Sequence, residues 1–144
     1  MSRIKLQIPQ QFTFKTTIAI RISDINYGNH VGNDAVLSLI HEARVQYLAN
    51  NGFTELQCGG VGLIMSDAGI EFKKEIFYGD VLTAHVTTTN FSSIGFDLYY
   101  KLETNGKDAV LAKTGMICYD YEKKKIVQVP SQVKEKLETR ETYL

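Results

Sequence analysis

The sequence predicts an α+β fold: an antiparallel sheet of about five strands wrapped around one long central helix. Three observations lead there. The segment after Asn33 carries a helical apolar stripe, Val36, Leu37, Ile40, Ala43, Tyr47 and Leu48, about four turns long. The other long segments have strand character, by alternation or by Thr and Val content. The later ones are joined by turns so short that antiparallel pairing is nearly forced. One amphipathic helix and one long sheet must then bury each other's apolar face.

Taken in order, residues 1–10 read as a loose arm. Phe12, Phe14, Thr16, Ile18, Ile20 and Ile22 alternate with polar or small residues, as a half-buried strand does. A polar loop leads to the helix, which Asn33 or Asp34 can cap and Asn50-Asn51-Gly52 can end. Thr54–Cys58 reads as one helical turn. Val61 to Phe77 is a long strand whose alternation slips at Ser66–Gly69, the mark of a bulge. Tyr78-Gly79-Asp80 turns the chain into a Thr- and Val-rich strand to Asn90, and Phe91-Ser92-Ser93 turns it again. Ile94, Phe96, Leu98, Tyr100 and Leu102 alternate cleanly. Asn105-Gly106 is the strongest hairpin signal in the chain, and Ala109 to Tyr121 is the strand that follows it. Pro130 stops extension before a short helix, Ser131 to Leu137.

A chain of 144 residues is expected to form one domain over 1–144 and to bury about 70% of its unfolded surface. Its 16 basic and 16 acidic residues balance, which argues against a nucleic-acid partner, since phosphate neutralisation needs a clustered basic excess. A near-zero charge also leaves self-association unopposed. Cys58 and Cys118 lack metal-ligand spacing and are too few for a disulfide framework, so both are expected reduced and part-buried. Together with an N-terminus lacking a signal-length apolar run, that points to the cytoplasm. No segment reaches the roughly 18–20 apolar residues that cross a membrane. P-loop glycines, a metal-ligand cluster and a G-x-S-x-G elbow are missing from the sequence, and no cofactor and no metal are expected.

The functional signal lies at 21–48. A polar, Gly-containing loop runs into a helix N-terminus, where free N–H groups and the helix dipole favour an anion or a polarised carbonyl. Asp24-Ile-Asn-Tyr-Gly-Asn-His-Val-Gly-Asn33 resembles the D-x-D-x-x-G-H-V-N-N segment of the hotdog-fold thioesterases, specifically the 4-hydroxybenzoyl-CoA thioesterase-like group. His41-Glu-Ala-Arg44 resembles that group's glutamate-bearing helix segment, and Phe77-Tyr-Gly-Asp80 with the strand after it resembles the turn that follows the catalytic region. The resemblance covers roughly residues 12–137.

It implies a homodimer, often paired into a dimer of dimers, with active sites at the dimer interface. It implies an acyl-CoA or acyl-carrier-protein thioester as substrate, hydrolysed without a metal. One departure stands out: Asn26 occupies the position of the second Asp, the nucleophile or base of one branch, and an amide can be neither at neutral pH. Gly32 stands where the first Asn would be, and Asn33 keeps the second. A second branch uses a glutamate on the central helix, which Glu42 matches.

Glu42 interrupts an apolar neighbourhood on the helix, and a buried carboxylate there would have the raised pKa of a general base; it could equally be an ion-paired or solvated helix position. His30 could polarise the thioester carbonyl or orient water, or simply hold the loop. Asn26 could donate to a carbonyl or cap a turn. Asp24 could replace the missing carboxylate or cap the loop. Gly28 and Gly32 suit a loop that needs positive φ. The backbone N–H of Asn33 or Asp34 is the expected oxyanion donor. Ser92 and Ser93 stand where relatives approach CoA, although a serine pair is commonplace in a turn. Lys73 and Lys74 could meet CoA phosphates, but a solvated charge run is the simpler expectation. His41 and His85 are assigned to a helix flank and a strand. The expected activity is acyl-CoA or aroyl-CoA hydrolysis. The alternatives are a hydroxyacyl dehydratase pairing His30 with Glu42, or a non-catalytic acyl-CoA-binding module.

Overall fold

In the computed structural model, which describes residues 1–138, the elements follow the expected order. Strand β1 (Phe14–Ala19) and a short 3-10 turn (Ile22–Asp24) lead to helix α1 (Asn33–Asn50). Strands β2 (Gly62–Phe72), β3 (Val81–Thr89), β4 (Gly95–Thr104) and β5 (Lys107–Asp120) follow, then the two-residue β6 (Lys125–Ile126) and helix α2 (Ser131–Leu137). The sheet is antiparallel, in the order β1-β3-β4-β5-β2, with β6 added to the end of β5. The two strands flanking α1 in the chain therefore lie at opposite edges of the sheet, and α1 crosses between them.

The hairpin at Asn105-Gly106 has φ of +51° and +74°, the left-handed pair of a type I′ turn, which matches the twist of β4 and β5. Along β4, Phe96, Leu98, Tyr100, Leu102 and Thr104 are buried, while Asp97, Tyr99, Lys101 and Glu103 are half-exposed on the other face. The slip expected near Ser66–Gly69 is a register shift between Met65 and Asp67, beside the point where Asp67 Oδ1 accepts the Gly115 N–H at 2.9 Å.

Several expectations are corrected. Leu37 is 42% exposed, and Leu39 takes its place in the buried stripe with Val36, Ile40, Ala43, Tyr47 and Leu48. Leu37 sits about 100° around the helix from Val36, which turns it out of the interface with the sheet. Gly32, not Asn33 or Asp34, is the N-cap of α1, with no side-chain cap bond. Thr54–Cys58 is not helical: Thr54 and Gln57 bond each other through Thr54 N–H to Gln57 O (3.1 Å) and Gln57 N–H to Thr54 Oγ1 (2.9 Å), which closes a turn. The arm is docked on the sheet's outer face, with the Leu6 N–H donating to the Glu71 carboxylate and Phe12 lying 5.8 Å from the His85 ring.

Polar side chains inside the fold are satisfied by one another. Tyr47 OH and Thr88 Oγ1 are 2.6 Å apart, which ties α1 to β3. Buried Arg44 donates to Tyr100 OH (3.2 Å) and to Glu55 Oε1 (3.1 Å), and Tyr100 OH lies 2.8 Å from Thr114 Oγ1. Burial works against the guanidinium charge, but Tyr100 and Glu55 outweigh it, and the Arg44 pKa is raised. Glu55 also lies 3.0 Å from exposed His41.

Two outcomes follow from this packing. A Cβ on Gly95 would lie 2.2 Å from the Met116 carbonyl oxygen across the β4–β5 ladder. Gly95→Ala should cost about 1–3 kcal/mol in urea unfolding, the range of an overpacked core site; an unchanged midpoint would mean the ladder yields there. Burial pushes the Cys58 thiol up to about 12, with Cys118 adding to it, and the Cys118 thiol up to about 11. Neither is thiolate near neutrality. A thiol reagent at pH 8 should label neither cysteine in the native protein and both after denaturation; rapid native labelling would contradict their burial.

Candidate active site at the start of the central helix

The loop from Asp24 to Asn33 is a small hairpin held by its own backbone. Ile25 and Val31 form an antiparallel bridge, and Asn26 N–H donates to His30 O at 3.0 Å. Asn29 turns the tip with φ of +66°, a conformation asparagine tolerates. Val31 N–H donates to Ile76 O at 2.8 Å, which fastens the hairpin to the segment between β2 and β3. These bonds carry the chain into α1 with the helix N-terminus open on one side.

Each loop side chain has a definite place. Asn26 accepts the Gly28 N–H on its Oδ1 at 2.8 Å, which forms an Asx turn. Asp24 is buried and accepts the Arg21 N–H on Oδ2 at 2.8 Å, with the Arg21 guanidinium 3.7 Å from Oδ1; it closes the 3-10 turn. Gly32 N–H donates to Asp24 O at 3.3 Å, so Asp24 lies behind the loop. A Cβ on Gly32 would sit 2.6 Å from Asp34 Oδ1, so a side chain there would displace the Asp34 carboxylate. The Asp34 carboxylate thus folds back over the helix start, where the dipole favours it.

His30 Nδ1 lies 3.0 Å from Val31 O. A carbonyl only accepts, so Nδ1 is the protonated nitrogen and Nε2 keeps its lone pair in the neutral ring. Nε2 and Asn26 Oδ1 would each be 3.2 Å from a Cβ on Gly28, so both side chains converge on that glycine. Within α1 the first bond is Val36 N–H to Gly32 O at 3.2 Å. The N–H groups of Asn33, Asp34 and Ala35 therefore point out of the helix end.

A cavity of about 230 Å³ opens at this place. His30, Val31, Asn33 and Val36 form one wall; Phe72 to Ile76 and Val110 form the other. Its floor is apolar, with Val31, Val36, Ile76 and Val110 buried. Its polar groups are His30, Asn33, Lys73, Lys74 and Glu75. An aprotic floor, outward N–H groups and an imidazole with a free lone pair suit a carbonyl compound that is to be polarised and attacked.

The structure brings together Asn26, His30, Gly32, Asn33 and Asp34 and leaves the other candidates apart. Glu42 is exposed rather than buried, and its Oε1 accepts from Gln46 Nε2 at 2.9 Å. It lies nine residues beyond Asn33 on α1, about 14 Å along the axis, so within one chain it does not reach His30. Ser92 closes the β3–β4 turn by accepting the Gly95 N–H (3.1 Å) and the Ile94 N–H (3.3 Å), and Ser93 O accepts the Val129 N–H (2.9 Å). Both serines sit beyond the far end of β3, about 26 Å from the end that faces the loop.

Of the segment Phe72–Ile76 the sequence offered only Lys73 and Lys74, as CoA-phosphate contacts or a solvated pair; Phe72, Glu75 and Ile76 are lining residues that sequence reasoning missed. Lys73 fits the solvated expectation: it is exposed and 3.2 Å from Glu71. Lys74 does not: it is half-buried, and its Nζ donates to Thr104 Oγ1 at 3.3 Å. The available signal was the position of these residues just before Phe77-Tyr-Gly-Asp80, which returns the chain to the sheet beside the loop: Ile20 N–H donates to Asp80 O at 3.2 Å.

Comparison with known proteins bears on this arrangement. Residues 20–137 match the family model described as the thioesterase-like superfamily. A protein of Aquifex aeolicus (strain VF5) named "Putative esterase" is 30% identical over 98 residues, 67% of this chain and 75% of that protein. The crystal structure of a hypothetical protein from Aquifex aeolicus superposes with a TM-score of 0.80 at 23% identity, over 88% of this chain and 100% of that one. The 1,4-dihydroxy-2-naphthoyl-CoA thioesterase of Synechocystis superposes with a TM-score of 0.77 at 20% identity, over 86% and 94% of the two chains. At such identities the two structures speak for the fold, a hotdog sheet around its helix. The family match spans the loop, α1 and the whole sheet from β2 to β5, and the chain belongs to the thioesterase-like superfamily.

Proposed function

We propose that the chain is a thioester hydrolase that cleaves an acyl or aroyl group from CoA or from an acyl carrier protein. The observation that carries this reading is the cavity at the start of α1, lined by His30 and by Asn33 of the open helix end over an apolar floor. Membership in the thioesterase-like superfamily supports the reaction class. The thioester carbonyl points at the N–H groups of Asn33 and Asp34, which stabilise the oxyanion as it forms. His30 positions the attacking water or polarises the carbonyl through Nε2. Asn26 keeps the loop in shape through its bond to Gly28.

The carboxylate comes from a second copy of the chain. Glu42 shares the outer face of α1 with Leu37 and Val45, which are 42% and 43% exposed. Apolar residues on an exposed helix face beside a carboxylate suit a face that another subunit covers. In a homodimer built this way, Glu42 of one subunit serves the cavity of the other, as general base or nucleophile.

A second reading has its own support. Asn26 is no base, and within one chain Glu42 is far from His30. On that reading the cavity binds an acyl-CoA without cleaving it.

Thiol release from short, medium, long and aromatic acyl-CoAs, with wild type and Glu42→Gln in parallel, tests these readings. The variant should lose about 100–10,000-fold in turnover, the usual contribution of a general acid–base group. Release undiminished in Glu42→Gln would remove that residue from the mechanism and leave His30 and Glu75, which line the cavity, as bases. No release from any substrate, with acyl-CoA still bound, would favour the binding module.

A further inference from the structure

We infer that the substrate's acyl group ends in a carboxylate, and that Lys74 is the residue that selects it; the inference rests on the thioester reading of the same cavity. Burial along the segment after β2 sorts its side chains into two directions. Lys73 and Glu75 are exposed, whereas Lys74 is half-buried and Ile76 is 3% exposed. Lys74 thus shares the inward direction of Ile76, between walls supplied by Val36 and Val110.

The two lysines differ in their partners as well as in exposure. Lys73 is paired with Glu71, but the Lys74 ammonium is held by a neutral hydroxyl, Thr104 Oγ1 at 3.3 Å, on a residue 2% exposed. Lys74 lines the cavity, and its one hydrogen bond to Thr104 leaves the ammonium with protons to spare. A cation over an apolar floor, fixed by an uncharged partner, is set to receive an anion there.

The segment's anchors give the position of that anion. Lys74 N–H donates to Ala109 O (3.2 Å) and Ile76 O accepts the Val31 N–H (2.8 Å), so Lys74 lies two residues from the strut that holds the helix start. Asn33 and Lys74 both line the cavity, so an acyl group whose carbonyl meets the Asn33 N–H can carry an ω-carboxylate across it to Lys74 if it is a short chain such as glutaryl or adipoyl. A cavity of about 230 Å³ holds a group of that size, and it leaves the CoA nucleotide outside. A phosphate of CoA is the other anion that could reach a lysine, and Lys73, which also lines the cavity but is exposed and paired with Glu71, is the more accessible one for it.

The test compares two non-hydrolysable thioethers of equal length, S-(5-carboxypentyl)-CoA and S-hexyl-CoA, by titration calorimetry on the full chain. Wild type should bind the carboxylated ligand about 10–100-fold more tightly, the worth of a hydrogen-bonded charge pair. Lys74→Met should collapse that ratio toward one, and Lys74→Glu should reverse it. Equal binding of the two ligands by wild type would overturn the inference and leave the thioester reading standing. A Lys74→Met that weakens both ligands alike would assign Lys74 to CoA phosphate and also overturn it. Binding of neither ligand would remove the thioester reading itself. If Lys74→Met or Lys74→Glu fails to fold, the wild-type ratio still tests the carboxylate preference, and Lys74→Gln, which should lose that ratio, tests the residue.

Discussion

Helix α1 buries its main apolar stripe against the concave side of the sheet. That mutual burial sets the depth, direction and ends of everything else. Ile40, Ala43 and Leu48 are fully buried against Leu82, Val86, Leu98 and Tyr100, which also have no exposed surface. Each side chain of that size contributes about 1.5–3 kcal/mol when taken from water. The polar ties along the same face, Tyr47 to Thr88 and Arg44 to Tyr100, add direction to a contact that hydrophobic burial alone would leave free to slide.

Once α1 is fixed, its N-terminus must open at one end of the sheet, and whatever precedes it must turn there. Strand β1 and the loop are forced to pass the segment that leaves β2, because β1 and β2 sit on opposite edges and α1 spans the gap between them. The Val31–Ile76 and Ile20–Asp80 bonds are where these two strands of chain meet. The cavity is the space left between them. Its apolar floor, Val31, Val36, Ile76 and Val110, belongs to the same core cluster that holds the helix, so the site and the fold are built on one core. The polar groups are added at the rim by loop and linker.

The features with a local cause were legible in the sequence. The β5 hairpin follows from Asn105-Gly106, the bulge from the slipped alternation at Ser66–Gly69, and the loop-to-helix junction from Asp24–Asn33. The features decided by contacts distant in sequence were not. Leu37 and Leu39 flank the helical stripe on opposite sides, about 160° apart, and only the shape of the sheet chooses between them. Arg44 reads as a surface residue until Tyr100, Thr114 and Glu55 are brought around it. Lys73-Lys74 reads as a solvated pair, since nothing nearby in the chain shows that Thr104 waits for one of them. The arm before β1 has no strand period, yet the outer face gives it Glu71, His85 and Lys101 as partners.

Asn26 illustrates how the fold constrains the chemistry open to this loop. An Asx turn needs an acceptor oxygen two residues before an N–H, and Asn supplies it as well as Asp does. The hairpin therefore keeps its shape, and with it the presentation of His30 and of the α1 N–H groups, whichever of the two residues stands there. What the amide gives up is the charge. The carboxylates nearest the loop in the same chain have other work: Asp24 closes the 3-10 turn from behind, and Asp34 folds over Gly32. The backbone geometry of the loop is thus kept without a charge at position 26. On the proposed thioester reading, a base would be drawn from His30 or Glu75 at the cavity or from the outward face of α1, where Glu42 stands.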